Sequence, residues 1–350
     1  MMKLVKAVLW GGFVFLLVSG CFRKPVSFGS DTDLFVVADS SDWQFMESTL
    51  KDVFTKTIQT PQPESVFAVH WVPAQQFNDF ATRKNLVILG ALHSSGEMTK
   101  KINAMLTPEV RTRVESGQEY VFTKTDPWAK QQILLVLVSN SLEKLRDKME
   151  SNKKALYDIL HQRLIEKTKR EMFSELEQED IELKLLRKYG WTVRVQHDYI
   201  VNIERPQDRF IMLRRSLPGR ERWLFVHWIE DGDPEMIDAD WAINTRNRLT
   251  GKFYENDRIN ADYTHTEEIE FLGRPALLTQ GLWENVEKVA GGPFRNYCFY
   301  DLATERIYMI DIAVFYPAGP KEPFLRQLDI MAHSFKTSQE TSEALIKKES

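Results

Sequence analysis

The chain has 350 residues, of which 43% are hydrophobic and 27% are charged, and its formal net charge is -4 at pH 7. These proportions are ordinary for a folded protein, and the slightly acidic balance gives no reason to expect a nucleic-acid partner. The length suggests about two domains.

The N-terminal segment is the most distinctive part of the sequence. Lys3 and Lys6 give a basic start, and an uncharged stretch follows over residues 7–20. A basic start, a short apolar core and small residues before a cut are typical of a secretory signal, and the stretch is short for a transmembrane helix. The run Val18-Ser19-Gly20-Cys21 resembles the lipobox of bacterial lipoproteins. We therefore expect residues 1–20 to be a signal peptide and Cys21 to carry lipid.

Lipid on Cys21 would make a membrane the first partner of the chain, since two or more acyl chains give stable anchoring. Phe22 stands where an aspartate signals inner-membrane retention in the best-known sorting systems. The resemblance therefore implies a cell-envelope location, at the outer membrane and facing the periplasm. The alternative is an ordinary secretory signal with a chance cysteine. If Cys21 is lipidated, Cys298 is alone, and its alternating sequence context predicts a buried strand residue rather than a nucleophile.

The first half of the mature chain alternates predicted strands and helices. Residues 21–32 are expected to form the lipidated cysteine and a spacer, and residues 33–140 an N-terminal α/β domain. The strands are predicted at 34–39, 66–72, 85–92 and 131–138, and the helices at 41–57 and 74–84. The turn Ser94-Ser95-Gly96 after the third strand could cradle an anion, or it could be an ordinary turn.

The second half differs in pattern from the first. Residues 141–188 are nearly free of Gly and Pro, which predicts one long helix or two joined helices connecting the halves. Residues 189–338 alternate apolar and polar residues in short runs, which is typical of antiparallel strands. Helices are predicted at 238–254 and 321–336, with strands at 261–268, 269–284, 292–301 and 306–317 between them. The polar residues 339–350 are expected to be a flexible tail.

These elements predict an α+β protein. Two α/β sandwich domains would be joined by a long helical segment, and the second domain would be an antiparallel sheet covered by helices on one face.

Short segments spread along the chain add a family resemblance. They are Leu34–Asp39, Trp43, Thr60–Glu64, Asn85–Ile88, Tyr189–Trp191, Leu213–Arg215, Thr245–Asn247, Gly281–Trp283, Gly291–Phe294 and Phe324–Leu328. In this order they resemble an uncharacterised family of bacterial lipoproteins, domain of unknown function 4837, over nearly the whole mature chain. The family implies a lipoprotein and assigns no activity. The second half is also loosely similar in architecture to the PsbP accessory proteins of photosystems, which is a likeness of fold and does not fix function.

Two sequence features suggest a contact surface in the second half. The run Gly291–Arg295 could be a loop lining a pocket beside Trp283, or a tight hairpin turn. Arg214 and Arg215 belong to an arginine-rich hairpin that could meet anionic lipid headgroups or lipopolysaccharide phosphates, or could be a solvated tip. The candidate binding surface consists of Arg214, Arg215, Trp283, Gly291, Gly292, Pro293, Phe294 and Arg295.

The sequence contains no metal-ligand spacing and no nucleophile motif, so neither a metal nor a cofactor is expected. The leading hypothesis is a non-enzymatic envelope lipoprotein that binds a protein, a glycan or a lipid. The alternative is an envelope hydrolase with an unrecognised site, built on His227 or His265 with nearby carboxylates. A structural module that supports an envelope assembly without a ligand is a third possibility, and the sequence does not decide the oligomeric state.

Overall fold

The computed structural model describes residues 24–253 and 256–341. The chain divides into two compact units. The described residues of the first unit are 24–56 and 65–164, and those of the second are 57–64, 165–253 and 256–341.

The first half of the chain is built on a mixed sheet. The strands of this sheet are β1 (Asp33–Ala38), β4 (Ala68–Pro73), β5 (Asn85–Ala91), β6 (Val121–Thr125) and β7 (Ile133–Ser139), while β2 (Thr57–Ile58) and β3 (Glu64–Ser65) pair with each other separately. Its helices are α1 (Ser40–Phe54), α2 (Phe77–Phe80), α3 (Glu97–Met105), α4 (Pro108–Glu115), α5 (Leu142–Ser151) and α6 (Lys153–Met172). The sheet order is β4-β1-β5-β7-β6, parallel except for the antiparallel edge strand β6. Strands β5 and β7 are buried along their whole length, which explains their continuous apolar runs.

Some elements of the first half differ from the sequence prediction. The helix predicted at 74–84 is a short 3-10 turn followed by α2, which ends at Phe80. The chain turns there because the backbone of Arg83 and Lys84 hydrogen-bonds to Phe80 and Phe28 and leads directly into β5. Helices α3 and α4 and strand β6 were not predicted from the sequence.

The segment predicted as one or two connecting helices forms three. Helix α5 ends at Ser151, the next residue Asn152 has a non-helical φ of -126° and ψ of 25°, and α6 begins at Lys153. A break follows with Leu176 at a φ of 56°, and then α7 (Glu179–Tyr189) begins. Gly190 ends α7 in the left-handed conformation that glycine adopts most easily. The division between the two units falls within α6, so this segment does not form a separate body.

The second unit contains a seven-stranded antiparallel sheet. Its strands are β9 (Ile200–Arg205), β10 (Phe210–Leu217), β11 (Arg220–Ile229), β12 (Arg258–Phe271), β13 (Arg274–Asn285), β14 (Ala290–Asp301) and β15 (Arg306–Phe315), in the order β12-β13-β14-β15-β11-β10-β9. Two short strands, β8 (Trp191–Thr192) and β16 (Lys336–Thr337), pair beside it. The remaining helices are α8 (Ala239–Phe253) and α9 (Glu322–Ala332).

Helices cover both faces of this sheet. Alternate residues of each strand point to opposite sides, so Leu224 and Val226 of β11 enter a core with Leu328 of α9. Phe225 enters a second core with Leu249 of α8. The predicted α+β class is therefore confirmed, whereas the prediction of helices on one face only is wrong. The central strands β11 and β15 carry continuous apolar runs, which are typical of strands buried on both faces, whereas the prediction rested on the alternating pattern of other strands.

A segment from the first half of the chain belongs to the second unit. The carboxylate of Glu64 accepts hydrogen bonds from the backbone N–H groups of Lys321 and Glu322, at 2.8 to 3.0 Å. An anion at this position satisfies N–H groups that have no partner within the helix and complements the dipole of α9. Residues 57–64 thus hold the N-terminus of the last helix.

Candidate functional site

The predicted lipidation site, Cys21, lies outside the described residues, together with the predicted signal peptide. Within residues 24–253 and 256–341, none of the helices combines the length and the apolar character needed to cross a membrane.

The Gly-Gly-Pro-Phe run lies inside strand β14, so both the loop and the hairpin-turn interpretations are wrong. Gly291 pairs with Glu284, Gly292 with Trp283, and Phe294 with Gly281 of β13. Pro293 precedes the residue at which pairing of β14 with β15 begins, a position compatible with its missing N–H.

Gly292 makes room for the Trp283 side chain. The indole N–H of Trp283 donates to the carbonyl of Val314 at 3.2 Å, and a Cβ added to Gly292 would lie 1.9 Å from that carbonyl oxygen. Trp283 and Phe294 are 3% and 1% exposed, respectively, and both pack in the core beneath α8. These residues close one end of a core, and their side chains do not form an exposed surface.

Arg295 lies on the opposite face of the sheet from Phe294, its neighbour in β14. Its guanidinium donates to the carboxylate of Asp329 on α9 at 2.9 Å, and the hydroxyl of Tyr297 donates to the same carboxylate. Burial alone would raise the pKa of Asp329, but the charge of Arg295, with smaller contributions from His333 and from the two hydrogen bonds, holds this pKa below its usual value. Arg295 therefore joins α9 to the sheet.

Arg214 and Arg215 also point to opposite faces, since they are consecutive in β10. Arg214 forms an ion pair with Glu221 across the hairpin. Arg215 pairs with Asp198 at 3.1 Å and is directly opposite Arg222 in β11. The eight residues of the candidate surface are thus divided between two faces of the sheet, and half of them, Trp283 and Gly292–Phe294, are buried.

A different group forms around Arg215. We use the name arginine cluster for Arg215, Arg220 and Arg222, which lie on the α9 face of the β10–β11 hairpin. The guanidinium carbon of Arg222 lies 4.4 Å from the ring centre of Phe324, and its Nη1 donates to Gln327 at 2.7 Å.

Both Arg220 and Arg222 contact the aromatic ring of Phe324. The guanidinium carbon of Arg220 lies 5.7 Å from the ring centres of both Phe324 and Tyr316, distances at which cations interact favourably with aromatic faces. Phe324 and Tyr316 contact each other edge to face at 5.5 Å. This arrangement limits the orientations available to the arginine side chains.

Tyr199 lies beneath the arginine cluster and is fully buried. Burial raises the pKa of its hydroxyl to about 12, while the charges of Arg222 and Arg215 act in the opposite direction. Burial also lowers the pKa of Arg222, which is 3% exposed. The sequence showed the arginines, but Tyr199, Phe324 and Gln327 come from distant elements and carry no local signal for this position.

The two histidines of the hydrolase hypothesis have different surroundings. Nδ1 of His227 lies 3.0 Å from the carbonyl oxygen of Arg209, and burial lowers the pKa of His227 to about 4, so the ring is neutral at pH 7. His265 is exposed, 3.1 Å from the amide nitrogen of Gln280, and its Nε2 is 3.9 Å from a carboxylate oxygen of Glu267. Neither geometry matches a general base held by a carboxylate.

The remaining candidates of the sequence have structural partners. The carboxylate of Asp39 accepts from the N–H groups of Glu97 and Met98, so it occupies the helix end that the Ser94–Gly96 turn could have offered to an anion. Cys298 is buried in β14, and burial raises the pKa of its thiol. The described part of the chain contains no group of three or more His, Cys, Asp or Glu side chains placed to hold a metal ion.

Two family models match the chain. Residues 27–173 match a domain of unknown function, DUF8532, and residues 169–334 match another, DUF4837. The DUF4837 resemblance is thus confirmed for the second half, which holds the segments from Tyr189 onward. Its extension over nearly the whole mature chain is wrong, because Leu34–Asp39 and Asn85–Ile88 lie in the DUF8532 match.

Solved structures show a distant likeness. A mutant of the protein Mog1 is 13% identical with a TM-score of 0.31, over 45% of this chain and 94% of its own. The Ran-binding protein Mog1p of Saccharomyces cerevisiae is 14% identical with a TM-score of 0.30, over 43% of this chain and 90% of its own. No curated protein matches the sequence significantly. The chain is thus similar to the DUF8532 model in its first half and to the DUF4837 model in its second half, and each match covers less than half of the chain.

Proposed function

We propose that this protein is a lipid-anchored lipoprotein of the bacterial cell envelope, and that its second unit binds an envelope partner without catalysing a reaction. The run Val18–Cys21 behind a basic start supports the anchor. The arginine cluster supports the binding role, since it gathers three positive charges on one face of a hairpin. We also propose that the second unit belongs to the PsbP-like fold family.

The anchor is tested by metabolic labelling with a palmitate analogue in cells producing the full chain. The Cys21→Ala variant should lose the label and either leave the membrane fraction or keep its signal peptide. The Cys298→Ala variant is the matched control, because it removes the other cysteine, which is buried, and should keep the label. Label retained by Cys21→Ala would contradict the anchor.

The outer membrane is the proposed destination, with the folded units in the periplasm. Residue Phe22, in place of an aspartate, supports this sorting. Separation of inner and outer membranes on a density gradient tests it. Recovery of the labelled protein in the inner-membrane fraction would contradict the outer-membrane destination but would not contradict the lipid attachment.

The partner is proposed to be a protein, glycan or lipid of the envelope that meets the arginine cluster. The test is crosslinking in intact envelopes, followed by purification of wild-type protein and of the Arg215→Ala/Arg220→Ala double variant. Both arginines are partly exposed, so their truncation should leave the core intact. A crosslinked partner should be lost in the double variant. An identical set of partners in both proteins would show that the arginine cluster does not bind the partner.

A further inference from the structure

The arginine cluster carries more positive charge than its surroundings neutralise. Asp198, whose side chain is 63% exposed, forms an ion pair with Arg215. Within residues 24–253 and 256–341, no ion pair is found for Arg220 or for Arg222. Two guanidinium charges on the same face are therefore left without an opposite charge in contact.

Buried donors in the same place also lack partners. The hydroxyl of Tyr199 is fully buried, and in the described structure it makes no hydrogen bond. The Nε groups of Arg215 and Arg222 are buried and unpaired as well. The charges of Arg222 and Arg215 act on Tyr199, which places the three donors in one neighbourhood. Because buried polar groups in folded proteins are almost always paired, three unpaired donors there indicate a missing acceptor.

We propose that the arginine cluster, together with Tyr199, binds a phosphate monoester. This inference rests on the binding role proposed above and names the chemistry of its ligand. A phosphate monoester carries a charge of about -2 at neutral pH, which matches the two unpaired guanidinium groups. Its three oxygens accept the forked N–H pairs of arginine, and the Tyr199 hydroxyl can donate to the same group.

The surroundings hold the arginine cluster ready for such an anion. Gln327 fixes Nη1 of Arg222, and the rings of Phe324 and Tyr316 hold Arg220 and Arg222 from the side. Little side-chain entropy is lost when an anion binds to guanidinium groups that are already oriented. The ligand would approach from the side of Arg215 and Arg220, the more exposed members.

Asp198 competes with the ligand for Arg215. It lies in a turn with a φ of 65° just before β9, and its carboxylate contacts Nη2 of Arg215. Replacing Asp198 by Asn removes a negative charge from the edge of the arginine cluster. This substitution should therefore tighten phosphate binding, a result that loss of a merely structural contact would not give.

The test is isothermal titration calorimetry of the full chain in detergent micelles with glycerol 3-phosphate. We expect saturable binding that weakens about tenfold or more in Arg220→Gln and in Arg222→Gln, since each removes a charged hydrogen-bond donor. Arg205→Gln is the matched control, because Arg205 is exposed on β9 of the same sheet, and its affinity should equal that of wild type. Asp198→Asn should bind more tightly than wild type. Circular dichroism of each variant separates loss of binding from loss of folding.

Titration with dihexanoyl phosphatidic acid distinguishes the source of the phosphate. Equal affinity for it and for glycerol 3-phosphate supports a soluble phosphate monoester, and markedly tighter binding of the acylated form supports a lipid headgroup. Lack of saturable binding to both, or equal binding by wild type and a folded Arg220→Gln, overturns the proposal. Neither result depends on lipid labelling at Cys21, so failure of the phosphate site and failure of the anchor are separate outcomes.

Discussion

Replacing Gly292 by alanine gives the sharpest test of the packing at the end of the sheet. The new Cβ would lie 1.9 Å from the carbonyl oxygen of Val314 and 3.1 Å from the indole nitrogen of Trp283. The Val314 oxygen is a backbone atom of the paired strand β15. The clash is therefore relieved only if β14 and β15 separate locally. The indole N–H would then lose its acceptor at 3.2 Å.

The expected loss of stability follows from these two effects. Overpacking of a well-packed core costs about 1–3 kcal/mol, and a buried donor left without its partner costs about 1–3 kcal/mol. Together they reduce the free energy of unfolding of the second unit by about 2–6 kcal/mol. Gly291→Ala should be milder, because its Cβ would meet the Trp283 carbonyl oxygen at 2.9 Å.

The assay is guanidinium-induced unfolding of the full chain, followed by far-ultraviolet circular dichroism. Gly251→Ala is the control, since Gly251 is exposed in α8 and alanine is favoured over glycine in a helix by about 1 kcal/mol. A transition of Gly292→Ala that coincides with that of wild type would refute the close approach of Val314 to this strand.

Three further predictions concern polar groups with defined surroundings. Asp311→Asn should destabilise the second unit by about 3–5 kcal/mol in the same assay, because it removes the carboxylate that pairs with the fully buried guanidinium of Arg246; a loss below about 1 kcal/mol would contradict a buried ion pair. Asp39→Ala should cost about 0.5–2 kcal/mol by removing the cap of α3, and unchanged thermal unfolding would contradict the cap. The folded-state pKa of His227, about 4, lies below the usual 6.5, so the unfolded chain binds more protons between these values and stability falls as the pH falls through them. The loss is about 3 kcal/mol, and His227→Gln should remove this part of the pH dependence, whereas an unchanged pH profile would contradict the neutral buried ring.

The fold class could be predicted because local patterns and tertiary structure agree in most strands. β11 and β15 are long apolar runs, and β5 and β7 are short buried ones, so their composition alone indicates strands. Helix α3 was missed because its N-terminal N–H groups are capped by Asp39, which is 58 residues away in sequence. The first residues of the helix, Gly96 and Glu97, supply no capping side chain of their own, so the local sequence does not mark the start of α3.

The candidate binding surface was predicted less well, for a related reason. Two adjacent glycines usually mark a turn, but Gly292 is required by the approach of Val314 and Trp283 from other strands. Arg214 and Arg215 look alike in the sequence, and only the strand geometry assigns them to opposite faces. The pairing of Arg215 with Arg222 depends on the hairpin register, which explains why the arginine-rich hairpin was noticed while the other members of the site were not.

The proposed lipid anchor on Cys21 can be measured by mass spectrometry of the N-terminal peptide of the mature protein. We expect a chain that begins at Cys21 and carries diacylglycerol on the cysteine sulfur. A mature N-terminus at any other residue, or an unmodified cysteine at position 21, would contradict it.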